Sequence, residues 1–347
     1  DAMADDIDAI FSKASKFRAQ TMERGTFLND PDRSLKFFER GGSGISFGID
    51  ALDSLGFVMA PKEQTLFISP KGSGKSWFCV HCGVQALQQG KRVVHITLEM
   101  PESQVTGRYY QRVFAAAMNP KKYMKSYLEF DDRMERLTGF RSRLLTPKWS
   151  FSEPGARREL KRRISGVWGQ RFSNLVVKEF ASGQLTVPML EGYLDYLELE
   201  ERFSPHLLIV DYPDLMKQDS NNLRITLGQT FVDLRGVAFA RNSSLFTPTQ
   251  GGRKTIGAKR THSSDVTEDI SKVFTADQTA TFQQTEAEKA RGLGRIMIEH
   301  ARGIADGTMI VITQSLATGQ YALQSALMQN AYWERLNEAT GDRRDDD

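Results

Sequence analysis

The chain has 347 residues, 40% of them hydrophobic and 26% charged, with 46 Lys and Arg against 43 Asp and Glu. That composition excludes a disordered or fibrous polymer and predicts a globular chain with a sizeable core. A net charge of +3 does not by itself point to nucleic acid, and no apolar run of about 18 residues suggests a helical membrane span.

The N-terminal DAMADDIDAIFSK lacks the basic-then-apolar order of a secretory signal. Over residues 5–20, Ile7, Ile10, Phe11, Ala14 and Phe17 recur at helical spacing, which predicts an N-terminal amphipathic helix. Its apolar face must be buried, either on its own domain or on a neighbouring subunit. The turn-rich stretch GTFLNDPDRSLKFFERGGSG follows and reads as a linker. The expected division is a helix and linker over 1–42, one large domain over 43–325 and a tail over 326–347 that ends in DRRDDD.

Within the large domain, short apolar runs alternate with helical segments: TLFIS (65–69), RVVHITL (92–98), NLVVKEF (174–180), HLLIVDY (206–212) and SSLFTPTQ (243–250). QTATFQQT (278–285), GRIMIEH (294–300) and TMIVITQ (308–314) come later and close together. Uninterrupted apolar strands between helices predict an α/β fold with a mostly parallel sheet, and the late strands predict an antiparallel edge hairpin. Cys79 and Cys82 have no second Cys or His pair at zinc spacing. Buried reduced thiols and a cytoplasmic compartment are therefore expected.

The stretch FISPKGSGKSWF (67–78) approaches the phosphate-loop pattern G-x-x-x-x-G-K-[ST], with Ser69 in place of the first glycine. A strand precedes it and a helix follows, the context in which backbone N–H groups and the helix dipole hold an anion. Ser69, Pro70, Lys71, Gly72, Ser73, Gly74 and Trp77 form the expected cradle; Lys75 reaches the β- and γ-phosphates and Ser76 ligates Mg2+. The first position needs a small residue rather than glycine when its φ is negative, a demand that serine meets. Asp211 ends LLIVD, where it can support the metal, and Glu99 follows VVHITL, where it can polarise a water. Two runs are locally basic, GARRELKRR (155–163) and GGRKTIGAKRTH (251–262).

Taken in order, SGISFGIDALDSL, ISPKGSGKSWF, TLEMPESQVTGR and LLIVDYPDLM resemble the RecA-like P-loop NTPase motor domain of DnaB-type replicative helicases, with phage-encoded members as the nearest match. The resemblance spans about residues 43 to 325. It implies ATP and Mg2+ as cofactors, Glu99 as catalytic base, Lys75 and Ser76 as the phosphate-loop pair and Asp211 as the second metal-site carboxylate. It further implies Gln250 as a γ-phosphate sensor and Arg302 in EHARGIADG as an arginine finger reaching a neighbouring subunit, with His300 where the family has lysine. A homo-oligomer, expected as a hexamer, follows from that finger.

The same family places DNA-facing loops after Asp211 and after Gln250, here MKQDSNNLRITLGQ (216–229) with Arg224, and GGRKTIGAKRTHSSD (251–265) with Arg253, Lys254, Lys259 and Arg260. Cations among glycines without stacking aromatics favour backbone-led, sequence-blind contact with single-stranded DNA. The expected activity is ATP-driven unwinding, with primase or a helicase loader as further partners and no membrane partner. The rival is a RecA/KaiC-like ATP-dependent assembly protein, and a non-catalytic scaffold is a third reading. About forty residues precede the motor segment where the family carries a primase-interacting domain, which implies a truncated chain or a compact variant.

Overall fold

The computed structural model describes residues 44–133, 136–219, 221–252, 257 and 271–341. The N-terminal amphipathic helix and linker, Arg253, Lys254, Lys259, Arg260 and the acidic end lie outside them. The described chain opens with β1 (Ile45–Ser46), α1 (Asp50–Asp53) and β2 (Val58–Met59), then β3 (Gln64–Ser69), α2 (Lys75–Gln88), β4 (Val93–Thr97) and α3 (Glu102–Phe114). An insertion follows: a hairpin of β5 (Tyr123–Phe130) and β6 (Leu137–Leu145), then α4 (Ala156–Ile164) and α5 (Val167–Phe172). The alternation resumes with β7 (Leu175–Glu179), α6 (Val187–Leu199), β8 (Leu207–Asp211), α7 (Leu223–Ala240) and β9 (Ser244–Gln250). It ends with α8 (Ser271–Thr275), β10 (Gln278–Gln283), α9 (Glu286–Arg291), β11 (Leu293–His300), β12 (Thr308–Thr313), β13 (Ser325–Leu327) and α10 (Tyr332–Gly341).

Nine strands form one sheet in the order β13-β12-β11-β10-β3-β9-β8-β4-β7. The run from β10 to β7 is parallel, whereas β10, β11, β12 and β13 pair antiparallel. The antiparallel edge is therefore larger than the single hairpin expected from sequence. Every residue of β3, β4 and β8 is buried, because helices cover both faces. The two-residue repeat of a strand divides these residues between two cores. Leu207 and Ile209 of β8 join an aromatic core with Phe47, Phe67, Phe78 and Phe246, while Leu208 and Val210 pack with Leu190, Leu194 and Leu234 from α6 and α7.

Two expectations are corrected. Residues 326–341 are not simply a tail: α10 packs Tyr332 and Leu336 into a core with Leu128, Phe140, Leu293 and Val311. Tyr332 Oη donates to Glu288 Oε1 at 2.6 Å, and the same carboxylate accepts from Arg295 Nε at 2.6 Å, so α10 is anchored through a buried ion pair. The stretch 216–229 is not one loop either, since α7 begins at Leu223 and carries Arg224 on its exposed first turn. Cys79 and Cys82 are buried and reduced. Among the described residues, no group of three or more His, Cys, Asp or Glu is placed to hold a metal, and no helix is long and apolar enough to cross a membrane.

Candidate nucleotide site

Strand β3 hands the chain to a turn that requires left-handed backbone twice, at Gly72 (φ 76°) and Gly74 (φ 97°), immediately before α2. Ser69 is the last residue of β3 and is not among the residues of positive φ, so its side chain brings no backbone strain. Its hydroxyl hydrogen-bonds the Ser73 hydroxyl, and Ser73 Oγ donates to the Pro70 carbonyl at 2.6 Å. The departure from glycine thus adds a brace across the turn. The first-turn N–H groups of a 14-residue helix suit this turn to an anion. Lys75 and Ser76 lie in the first turn, both buried, with Lys75 Nζ 5.6 Å from the Tyr212 ring centroid.

Sheet order collects the other groups. Gln250 is in register with Ser69 and Asp211 with Thr97, and Ile209 pairs Phe246, so four adjacent strands end within two residues of one another in the order β3, β9, β8, β4. Glu99 stands exposed two residues beyond Thr97, on a turn held by Thr97 Oγ1 donating to the Met100 carbonyl at 2.8 Å. The carboxyl ends of parallel strands are where open α/β sheets bind ligands.

Asp211 is wholly buried, and burial pushes its carboxyl up to about 6. Ser76, Lys75 and Arg108 pull the other way, and the Glu99 charge adds to the rise. Neither Asp211 oxygen completes a hydrogen bond. Two buried carboxylate oxygens with only the Ser76 hydroxyl close by, next to the phosphate-loop turn, suit a hydrated Mg2+, which needs few protein ligands when phosphates supply the rest.

Three features were not singled out by sequence reasoning. Arg108 on α3 is partly desolvated, which lowers its pKa, while Asp211 and Glu99 sustain its charge. Its guanidinium lies 4.9 Å from the Trp77 ring centroid. Although TGR was part of a recognised motif, nothing in its spacing revealed that contact. A cleft of about 640 Å³ opens next to it, lined by Trp77, Gln104, Arg108, Met118, Lys121 and Leu316, within the usual size of a small-molecule site. Finally, Lys272 is fully buried and its Nζ donates to Asp214 Oδ1 at 2.5 Å and to Thr249 Oγ1 at 2.8 Å. That cluster ties the ends of β8 and β9 to the segment following the basic stretch 251–265.

The predicted finger is not part of this constellation. His300 is level with Thr279 and Leu66, and Arg302 lies beyond, 3.8 Å from Glu63 and 3.4 Å from Asp277 at the opposite end of β3 from Lys75. It is 74% exposed. His300 stands 3.9 Å from Asp306.

These features define a RecA-like α/β fold with a phosphate-loop turn at the carboxyl end of its sheet. Within that class, the chain is related in sequence to the DnaB-type replicative helicases. It is 24% identical over 219 residues to a DnaB-like replicative helicase of Enterobacteria phage T4, which covers 61% of this chain and 40% of the relative. The chain thus spans about two fifths of that protein. No family model matches. Among solved structures, an ATPase domain superposes with a TM-score of 0.61 at 14% identity, covering 86% of this chain and 99% of that one. A DnaB-like replicative helicase studied with its primase interactions superposes at 0.64 and 13% identity, covering 90% and 72%. At such identities the structural likeness speaks to fold.

Proposed function

We propose that this chain is the ATP-hydrolysing motor of an oligomeric DNA helicase that moves on single-stranded DNA. The observation that carries this reading is the assembly of Lys75, Ser76, Asp211, Gln250 and Glu99 at the carboxyl ends of four adjacent strands. Lys75 and the loop N–H groups hold the β- and γ-phosphates, while Trp77 and Arg108 border the cleft that takes the base and sugar. Ser76 and Asp211 would hold Mg2+, which when bound would neutralise developing phosphate charge. Glu99 orients the attacking water and takes its proton as the bond between the γ-phosphorus and the β-bridging oxygen breaks. Gln250 contacts the γ-phosphate from the neighbouring strand.

Arg302 supplies the remaining positive charge to the site of the next subunit, which makes the active form an oligomer, proposed as a hexamer. The neighbouring chain's residues 5–20 are its proposed clasp. Arg224 and the basic run Arg253, Lys254, Lys259 and Arg260 contact the DNA strand, and the Lys272–Asp214–Thr249 cluster relays their position to Gln250. Strand displacement on a forked DNA with ATP and Mg2+ tests the reading, with Glu99→Gln as the inactive control. ATPase stimulated by single strands without displacement would favour the assembly-protein class instead.

A further inference from the structure

The insertion between α3 and β7 concentrates the molecule's positive charge. Residues 117–172 carry fourteen Lys and Arg against six Asp and Glu, whereas the rest of the chain has 32 against 37. The cations are arranged against their own mutual repulsion. On α4, Arg157 and Lys161 are four residues apart, as are Arg158 and Arg162, a spacing at which like charges destabilise a helix. In the hairpin, Lys125 stands directly opposite Arg143, another unfavourable like-charge pair.

Local acids relieve only part of this. Glu159 binds Arg162 and Arg163 at 2.7 Å, which holds its carboxyl down at about 2, and Glu129 meets Arg141 at 3.3 Å. Arg157, Arg158 and Lys161 are exposed and have no acidic partner among the described residues. Aromatic rings stiffen the scaffold beneath them: Arg163 lies 4.8 Å from the Trp149 ring centroid, and Arg171 lies 5.2 Å from that of Trp168. A rigid display of exposed, mutually repelling cations matches a polyanion with closely spaced charges, which a phosphodiester backbone is and a typical acidic protein surface is not.

We infer that the exposed face of α4 is a second, sequence-blind contact for a nucleic-acid backbone, separate from the loops at the sheet's carboxyl edge. The inference builds on the proposed motor but is tested apart from it. The test is a salt titration of binding to fluorescein-labelled oligothymidylate and to a duplex of equal length, with the full chain and its Arg157→Gln/Arg158→Gln/Lys161→Gln variant. The slope of log affinity against log salt should be shallower in the variant by about 2 on oligothymidylate, by about 3 on the duplex, or both, the losses expected for three phosphate contacts. Which probe shows the change identifies the bound arm as single strand or duplex.

Arg157→Lys/Arg158→Lys should keep the parent slope, because charge rather than fork geometry carries the contact. The neutral variant should keep or raise the parent melting temperature, since it removes repulsion. A variant slope equal to the parent's on both probes would overturn the inference, as would loss of poly-glutamate binding with DNA binding intact, which would assign the face to an acidic protein. A variant with lower thermal stability and parental DNA binding would mark the cations as structural and overturn it as well. A parent lacking oligothymidylate-stimulated ATPase would instead count against the motor, while the slope difference would still support the α4 face.

Discussion

Asp211 shows most plainly what the site costs the fold. Its carboxyl is raised from 3.8 to about 6, chiefly by burial, so the folded chain binds a proton there more tightly than the unfolded chain. The stabilisation from this neutral form is fully present below about pH 4 and is lost as pH rises through 6, so at pH 7 the ionised form costs roughly 3 kcal/mol. Asp211→Asn should therefore stabilise the nucleotide-free protein at pH 8 by about 1–3 kcal/mol, with the gain vanishing near pH 4. Denaturant melts at the two pH values check this, and a variant less stable at pH 8 would refute it. The same variant should lose Mg2+-dependent hydrolysis. Ser69 carries a smaller effect: Ser69→Gly removes the hydroxyl brace to Ser73 and should cost about 1 kcal/mol in stability, with ATPase within a few-fold of parent.

At the scale of elements, the Lys272 cluster joins three segments. Lys272→Met leaves Asp214 largely buried without its cation and should cost roughly 3 kcal/mol or more, measured by denaturant unfolding. Adding Asp214→Asn should recover most of that stability, yet stimulation of ATPase by single strands should stay low if the cluster relays DNA contact. The sheet strands were legible because burial on both faces leaves continuous apolar runs, as in HLLIVDY and TMIVITQ. The β5–β6 hairpin was not, because one face is solvated and its pattern is broken by Lys125, Arg141 and Arg143. α10 was missed because its burial depends on Glu288, 44 residues earlier. Lys75 and Ser76 could be placed by the strand–turn–helix context of the phosphate-loop pattern, and Asp211 and Gln250 stand at strand ends, Gln250 being singled out only through the family resemblance. Arg108 and Lys272 could not, because what makes them notable is their proximity to residues remote in sequence.

Across the whole molecule, the proposed reading divides one chemistry between the two ends of the sheet. The phosphate cradle lies at one end of β3 and Arg302 lies past the other, beside Glu63 and Asp277. So placed, Arg302 could serve the proposed nucleotide site only from a second copy of the chain. The most direct measurement is ATPase of mixed subunits, using Lys75→Ala, which lacks the cradle lysine, and Arg302→Ala, which lacks the finger. Each alone should be inactive, while random mixing in a ring restores about a quarter of the interfaces and should recover a corresponding share of activity. Full activity of Arg302→Ala alone, or no recovery in mixtures that still assemble, would contradict the account.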